Sequence, residues 1–276
     1  MTVVPNGTSP ARRGESTVRI GLLFPALLGT YGDGGNAVVL QKRLEWRGFD
    51  AEIVEVDAGA AVPDSLDLYL LGGGEDGPQV EAARALGTDG PVHRAVDRGA
   101  VVFAVCAGMQ IVGTSFAGKD GSPVTGAGLL DCTTVKTDEP RAVGELLVTA
   151  APEWDLPRLT GFENHGGRTR PGPTARTLGS VGAGVGNGDG SEGDVNTELG
   201  RGKVLGTYLH GPGLARNPAL ADLLLAWALD VPRSELAPLD DGEADQLRAQ
   251  RFSAVDRGHL DGVAERSWKD RLFGRN

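Results

Sequence analysis

The chain has 276 residues, of which 40% are hydrophobic and 23% are charged, a composition typical of a globular protein. Asp and Glu outnumber Lys and Arg by 37 to 27, and no basic stripe is present, so nucleic acid is not an expected partner. The two cysteines, Cys106 and Cys132, stand in different contexts and predict neither a disulfide framework nor a zinc site; no metal is expected.

Strands and helices are predicted to alternate through the first part of the chain. Short apolar runs predict strands at 18–24, 51–56, 66–71 and 101–105, and helix-compatible patterns predict helices at 36–47, 79–86 and 92–98. This alternation predicts an α/β fold, a doubly wound and mostly parallel sheet with flanking helices.

The second part of the chain predicts short antiparallel additions to this sheet. Strands are expected at 143–148, 159–162 and 204–208, a mobile glycine-rich hairpin tip at 179–193, and helices at 220–229 and 243–257. We expect a disordered tail at 1–17, one domain at 18–231, and a charged helical extension at 232–276.

No segment predicts export or membrane insertion. Residues 1–17 are polar and lack the apolar core of a signal peptide. The longest apolar stretch, 219–231, contains two acidic residues and is too short to span a bilayer. We therefore expect a cytoplasmic protein with no transmembrane segment.

A cysteine stands where the fourth predicted strand runs into a helix. Cys106 is surrounded by the small residues Ala104, Ala107 and Gly108. A strand, a tight turn and a helix with a nucleophile at the apex form a nucleophile elbow, whose close approach requires small neighbours. The alternative is a buried structural cysteine.

Two further features fall at the carboxyl ends of predicted strands, where doubly wound sheets bind their ligands. Three consecutive glycines at 72–74 follow the third strand, and the backbone N–H of Gly73 or Gly74 could face an oxyanion; a plain strand-to-helix turn is the alternative. His210 ends the last predicted strand, where an imidazole can take a proton from a thiol. The other histidines are predicted in an exposed helix, a polar turn and the charged tail: His93, His165 and His259.

A glycine pattern before the first predicted helix leaves a second interpretation open. Gly32, Gly34 and Ala37 match the spacing of a dinucleotide-binding fingerprint, with an acid about twenty residues further on. However, several residues separate this pattern from the preceding strand, which the fingerprint should follow directly. Dinucleotide binding is therefore the weaker interpretation.

Several motifs in order resemble those of class I glutamine amidotransferases. They are residues 71–76 (LGGGED), 105–110 (VCAGMQ) and 208–211 (YLHG). Within this class the chain is most similar to the cobyric acid synthase-like branch. Residues 161–168 (GFENHGGR) add a resemblance to GatD-type glutaminase subunits of lipid II isoglutaminyl synthases. The resemblance spans roughly residues 19–229 and implies a flavodoxin-like fold.

The resemblance implies a catalytic site. Cys106 would attack the side-chain amide of glutamine, and His210 would act as base and then protonate the departing ammonia. Backbone N–H groups of Gly73 and Ala107 would hold the oxyanion, and hydrolysis of the thioester would release glutamate. The resemblance also implies that Arg141 is the family's glutamine-binding arginine. A guanidinium suits this role, since it can bind an α-carboxylate bidentately.

Two positions leave alternatives open. Arg141 could instead form a surface ion pair with Asp138 or Glu139. Most members of the class carry a Glu two positions after the histidine, where this chain has Pro212. Glu163, or a carboxylate from a partner, is the candidate to orient the imidazole in its place.

The resemblance also implies a partner. Ammonia would pass to a Mur-ligase-like synthetase subunit in a heterodimer. That subunit would carry ATP and Mg²⁺ and amidate D-glutamate in the lipid II stem peptide during peptidoglycan biosynthesis, at the inner face of the membrane. This chain itself would need no cofactor.

Two other functions remain open. One is a glutaminase for cobyrinate or cobyric acid amidation, although no P-loop domain is found upstream of residue 19. The other is a catalytically inactive binding module, which Pro212 permits.

Overall fold

The computed structural model describes residues 16–197 and 202–256. In chain order the elements are β1 (Val18–Leu23), α1 (Gly35–Glu45), β2 (Ala51–Val56), β3 (Leu68–Leu71), α2 (Asp76–Leu86), α3 (Pro91–Arg98), β4 (Val101–Val105), α4 (Ala107–Val112), β5 (Ser115–Ala117), β6 (Pro123–Thr125), β7 (Cys132–Lys136), β8 (Ala142–Ala150), β9 (Leu159–His165), β10 (Gly167–Pro171), β11 (Arg176–Ala183), β12 (Ser191–Asn196), β13 (Lys203–Thr207), α5 (Gly213–Arg216), α6 (Pro218–Leu229) and α7 (Gly242–Asp256).

The main sheet joins a parallel half to an antiparallel half. Its order is β2-β1-β3-β4-β13-β12-β11-β8-β9. The first five strands pair in parallel, in the strand order of flavodoxin-like doubly wound folds. The next four pair antiparallel. The predicted doubly wound α/β fold is therefore confirmed, with an antiparallel half larger than expected.

The centre of the parallel half is buried on both faces. Every residue of β3 and β4 is buried, as expected of strands whose sequences are continuous apolar runs. Residues 51–56 and 101–105 form the strands predicted for them. Because β1, β3, β4 and β13 are neighbours, the loops after these four strands meet at one edge of the sheet.

Helix α1 is fixed to α6 by buried ion pairs. Nε and Nη2 of Arg43 donate to the two oxygens of Asp222 at 2.8 Å, and Nη2 of Arg47 donates to the same carboxylate at 2.7 Å. Nη1 of Arg43 also donates to Asp241 at 2.6 Å. Buried charges of this kind are tolerated because each is paired and hydrogen-bonded. The pairs fix the direction of α1, which begins directly after the loop that follows β1.

The local structure differs from the predictions in three places. The segment 179–193, predicted as a hairpin tip, does form a hairpin, but its arms belong to β11 and β12 of the main sheet and only residues 184–190 form the turn. A separate sheet of order β10-β7-β5-β6 was not predicted, because its strands are short and polar. His93 is only partly exposed, and its Nε2 lies 2.8 Å from the carbonyl oxygen of Ala127.

The division of the chain at residues 17 and 231 stays a prediction. Residues 1–15 of the predicted tail and 257–276 of the predicted extension, including His259, lie outside the described residues. Within the described ranges, no helix is both long enough and apolar enough to cross a membrane.

Candidate active site

Cys106 lies at the apex of a strained turn between β4 and α4. Its backbone has φ 53° and ψ −107°, which is costly for a residue that carries a Cβ. Hydrogen bonds hold both sides of the turn, from Cys106 N to Thr207 O at 2.8 Å and from Gly108 N to Gly72 O at 3.1 Å. A Cβ at Gly108 would lie 2.6 Å from the carbonyl oxygen of Leu71. The small residues around the cysteine therefore reflect this close approach.

His210 reaches the same edge of the sheet, just beyond the end of β13. Its backbone exchanges hydrogen bonds with Phe162 of β9, at 2.9 and 3.2 Å. The imidazole is buried, and its centroid lies 4.6 Å from that of the Tyr31 ring. Because β13 pairs in parallel with β4, the strand ends bring His210 and Cys106 together.

Asp33 orients the imidazole, and sequence reasoning missed it. Its buried Oδ2 lies 2.8 Å from Nδ1 of His210 and accepts a hydrogen bond from Gly73 N at 2.9 Å. Asp33 belongs to the glycine-rich loop between β1 and α1 that was considered for dinucleotide binding. The sequence did contain a signal for this role, since Asp33 is an acid in the loop at the carboxyl end of β1. The flavodoxin-like strand order places β1 beside β3.

Pro212 stands where the class usually has Glu, and it supports the loop of Asp33 instead. A Cβ at Gly35 would lie only 2.5 Å from Cγ of Pro212. Thus the proline packs directly against the start of α1, two residues after Asp33. The position that lacks the expected carboxylate therefore contacts the segment that supplies one.

The surroundings of His210 favour its protonated form. Burial alone would lower the pKa of His210, but the hydrogen bond to Asp33 and the nearby Cys106 sulfur raise it to about 10. Nε2 makes no hydrogen bond within the described residues. At neutral pH the ring can therefore carry a proton on Nε2 that is available to a bound molecule.

Glu163 is not the orienting group, so that expectation was wrong. Its Oε1 accepts a hydrogen bond from Val185 N at 2.7 Å, and its Oε2 accepts one from Gly186 N at 2.9 Å. Oε2 also lies 3.2 Å from Nε2 of His165. Both oxygens are thus occupied in the turn between β11 and β12, and Glu163 supports that turn rather than His210.

The amides predicted to hold an oxyanion differ in their hydrogen bonds. The N–H of Gly73 donates to Asp33, so it is not directed at a substrate. Gly74 and Ala107 line a cleft together with Cys106. Neither amide makes a hydrogen bond within the described residues. These two N–H groups are available for a developing oxyanion.

The cleft over Cys106 has a volume of about 280 Å³, near the lower end of small-molecule sites, roughly 300 to 1,000 Å³. Arg141 lies at its edge and donates from Nε to Asn164 Oδ1 at 2.6 Å and from Nη2 to Asn164 O at 3.1 Å. The same carbonyl oxygen lies 4.0 Å from the Cys106 sulfur. Glu139, an alternative partner for Arg141, instead pairs with Arg168 at 2.7 Å.

The other cysteine has a different environment. Cys132 is a free, buried thiol, and burial raises its pKa above the usual range, which favours an inert side chain. No group of three or more His, Cys, Asp or Glu residues in the described part of the chain could hold a metal ion.

The comparisons with known proteins converge on one family. The model of the CobB/CobQ-like glutamine amidotransferase domain matches residues 19–218. A lipid II isoglutaminyl synthase subunit, GatD, of Staphylococcus aureus is 32% identical over 84% of this chain and 92% of its own length. A cobyric acid synthase of Sphingopyxis alaskensis is 34% identical over 63% of this chain but only 34% of its own length. A crystal structure of a glutamine amidotransferase, 19% identical, covers 76% of this chain and 98% of its own with a TM-score of 0.52, which supports the fold.

Proposed function

This chain belongs to the CobB/CobQ-like glutamine amidotransferase family, and from that premise we propose that it is the glutaminase subunit of an enzyme that amidates lipid II. It hydrolyses glutamine to glutamate and ammonia through a thioester on Cys106. The observation that carries this proposal is the strained elbow of Cys106 beside the hydrogen-bonded pair of His210 and Asp33.

In the first step, the Cys106 thiolate attacks the side-chain carbonyl carbon of glutamine. The oxyanion that forms accepts hydrogen bonds from the N–H groups of Gly74 and Ala107. When the C–N bond breaks, Nε2 of His210 gives its proton to the departing nitrogen, which leaves as ammonia, and a thioester remains. Asp33 keeps Nδ1 protonated and stabilises the imidazolium before this transfer.

In the second step, water replaces ammonia. His210, now neutral, takes a proton from the water, whose oxygen attacks the thioester carbon. The tetrahedral intermediate collapses, glutamate leaves, and Cys106 returns to the thiolate while His210 is again protonated. The same two N–H groups serve both intermediates, so the site needs no cofactor for this half of the reaction.

Arg141 is the group that binds the α-carboxylate of glutamine. Two of its nitrogens are held by Asn164, and in this proposal Nη1 is the nitrogen that remains for the substrate carboxylate. A guanidinium positioned in this way fixes the amino-acid end of the substrate while the amide extends toward Cys106.

The partner is a Mur-ligase-like synthetase that uses ATP and Mg²⁺ to amidate D-glutamate of the stem peptide, at the cytoplasmic face of the membrane. Similarity along 92% of the S. aureus subunit supports this assignment. The cobyric acid synthase match corresponds to a third of that enzyme, which makes cobyric acid amidation the weaker alternative. Because Asp33 lies in this chain, a partner carboxylate is not needed to orient His210.

The test is a glutaminase and amidation assay on the chain co-purified with its synthetase. Cys106→Ala should reduce glutamate release by at least ~10³-fold, while added ammonia should still support lipid II amidation. Cys132→Ala serves as the matched control and should retain turnover.

Glutamate release that survives Cys106→Ala would end the nucleophile assignment. Failure of a glutamine-mimicking diazo-ketone to label Cys106, even with the synthetase present, would favour an inactive binding module. Glutaminase activity without any lipid II amidation would refute the partner assignment alone.

A further inference from the structure

One buried arginine has no part in the reaction proposed above. Arg168 lies in β10 and is only 7% exposed. Its guanidinium donates from Nε to Glu139 Oε2 at 2.7 Å, from Nη2 to Pro140 O at 2.9 Å, and from Nη1 to Gly167 O at 3.1 Å. All three nitrogens are therefore bonded. A planar guanidinium bonded in this way holds its acceptors in a fixed arrangement.

Two of these three acceptors lie in the loop that carries Arg141. Residues 137–141, which we call the Arg141 loop, join β7 to β8 without regular secondary structure, and most of them are exposed. Glu139 and Pro140 directly precede Arg141 in this loop. Arg168 thus holds one side chain and one backbone carbonyl next to the arginine that we assign to glutamine.

The guanidinium of Arg141 has a support of its own. Its Nε donates to Asn164 Oδ1 at 2.6 Å, and its Nη2 donates to Asn164 O at 3.1 Å. Asn164 lies in β9, and Arg168 lies in the next strand, β10. Loop residues are held precisely when regular elements support them. One strand therefore holds the charged end of Arg141, and the other holds the chain that leads to it.

The turn between β11 and β12 encloses the stem of Arg168. Gly188 of this turn has φ 101°, and a Cβ at this position would clash with Cδ of Arg168. The N–H of Thr169 donates to Asn187 O at 2.9 Å, which joins the turn to β10. The carboxylate of Glu163 bonds two backbone N–H groups of the same turn. Close packing of this kind restricts the Arg168 side chain and directs its guanidinium at the Arg141 loop.

The cleft defines the type of role that Arg168 can have. Glu139, Arg141 and Asn164 line the cleft over Cys106, whereas Arg168 is not one of its lining residues in the part of the chain that the structure describes. Arg168 can therefore affect a bound molecule only through the residues that it supports. A displacement of ~1 Å at a substrate-binding group can reduce activity by roughly a hundredfold, so this support is able to matter.

We propose that Arg168 is a positioning residue for substrate recognition: it holds the Arg141 loop so that Arg141 meets the α-carboxylate of glutamine. This inference rests on the function proposed above, in which Arg141 binds glutamine. Three residues of one segment then serve the same end. Asn164 holds the guanidinium of Arg141, Arg168 holds the loop, and Glu163 holds the turn that encloses Arg168.

Steady-state glutaminase kinetics of the full chain, co-purified with its synthetase, test the proposal. Arg168→Gln should raise the KM for glutamine about tenfold and change kcat less than about threefold, because it displaces Arg141 and leaves the catalytic groups in place. Arg168→Lys keeps a positive charge for Glu139 but cannot bond all three acceptors in the same plane. Its KM should therefore lie between those of Arg168→Gln and the unsubstituted enzyme.

Two neighbouring acids of the Arg141 loop provide a matched pair of variants. The Glu139 side chain is 61% exposed, so Glu139→Gln should fold, and loss of its ion pair with Arg168 should raise KM about threefold. Asp138→Asn removes an equal charge at an exposed position one residue earlier and should change KM less than about twofold. Arg170→Gln, at an exposed position of β10, is the corresponding control for Arg168→Gln.

Two further measurements separate positioning from general damage to the site. Because Arg168 acts through Arg141, adding Arg168→Gln to Arg141→Ala should raise KM less than about twofold further. Alkylation of Cys106 by iodoacetamide, followed by mass spectrometry of its peptide, should proceed in Arg168→Gln within about twofold of the unsubstituted rate, since this reagent has no α-carboxylate. Should Arg168→Gln not fold, Glu139→Gln provides both comparisons.

The outcomes distinguish this inference from the proposed function. An unchanged KM in Arg168→Gln and Glu139→Gln, or full additivity with Arg141→Ala, would overturn the positioning role alone. Slower alkylation of Cys106 together with a lower kcat would also overturn it, in favour of a general structural role. If Arg141→Ala left KM unchanged, or Cys106→Ala still released glutamate, the proposed function would fail and this inference with it.

Discussion

Replacing Asp33 by Asn tests the orienting role of this side chain with little change of shape. Asn can still accept the hydrogen bond from Gly73 N through its carbonyl oxygen. It removes the negative charge beside Nδ1 of His210, where Asp33 Oδ2 now lies at 2.8 Å. The substitution therefore separates the charge of the carboxylate from its packing.

The structure sets the size of the expected effect. A rise in the pKa of His210 from 6.5 to about 10 corresponds to ~5 kcal/mol of preference for the imidazolium. Asp33 and the Cys106 sulfur both contribute to this rise. Losing the charge of Asp33 lowers the pKa of His210, which acts on the alkaline limb, and it also releases the imidazole from its fixed tautomer and orientation. That second effect should cost roughly a hundredfold in kcat/KM at neutral pH.

The assay is glutamate release, coupled to glutamate dehydrogenase, over a range of pH. His210 has a raised pKa, so its charged form is present at low pH and is lost as pH rises through that pKa. In the unsubstituted chain the alkaline limb of kcat/KM should lie near pH 10. In Asp33→Asn it should move toward neutral pH by at least about one pH unit.

Two control variants sharpen this test. Asp120→Asn removes an exposed carboxylate that accepts hydrogen bonds from Ser122, and it should leave the pH profile unchanged. Glu163→Gln should also leave the alkaline limb in place, since Glu163 does not contact His210. Activity of Asp33→Asn within threefold of the unsubstituted enzyme, with the alkaline limb unmoved, would refute the orienting role.

Two further predictions concern substrate binding and stability. Arg141→Ala should raise the KM for glutamine about tenfold to a hundredfold with a smaller effect on kcat, because it removes binding common to ground and transition states. Asn164→Ala should also raise the KM. If steady-state assays gave an unchanged KM for both variants, Arg141 would not be the glutamine-binding residue. Burial, together with the charge of Glu192, raises the pKa of Asp194 to about 8, whereas burial raises that of Glu192 to about 7. The stability that the two protonated carboxyls confer is therefore present below pH 4 and lost as pH rises through 7 to 8. Asp194→Asn should stabilise the fold near pH 9 by up to ~5 kcal/mol, and denaturant unfolding should depend less steeply on pH. An equally steep dependence of the unfolding free energy on pH in the two proteins would contradict this.

The parallel half of the fold could be predicted because its signals are local. The strands at 51–56 and 101–105 are short runs that contain several β-branched residues, and the structure has the same bounds. The cysteine elbow could also be recognised locally, since the close contact of Gly108 with Leu71 requires small residues next to Cys106.

The antiparallel half could not be predicted in the same way. Strand β12 contains Glu192 and Asp194, two acids that a sequence pattern assigns to solvent, yet both are fully buried in the sheet. Their burial depends on neighbours distant in sequence, such as Thr207, whose hydroxyl donates to Glu192 at 2.6 Å. A periodic pattern does not contain that information.

The acid beside His210 shows the same limit within the site. An acid two residues after the histidine would be visible as a motif, but Gly211 has φ 125° and Pro212 leads the chain into α5 and away from the imidazole. The carboxylate comes instead from the loop after β1. It reaches His210 by crossing the end of β3, where Gly73 has no side chain: a Cβ there would lie 2.6 Å from Cε1 of His210.

Asp33 therefore joins three strand ends that are adjacent in the sheet but far apart in sequence. The carboxylate bonds the backbone of Gly73 after β3 and the ring of His210 after β13, and Cys106 after β4 lies between them in strand order. With the Gly73 amide bonded to Asp33, the next amide, of Gly74, is the one that we propose for the oxyanion. The carboxylate of Asp33 can thus orient both the imidazole and the proposed oxyanion amide. This explains why an acid in the loop after β1 can replace the acid that usually follows the histidine by two residues.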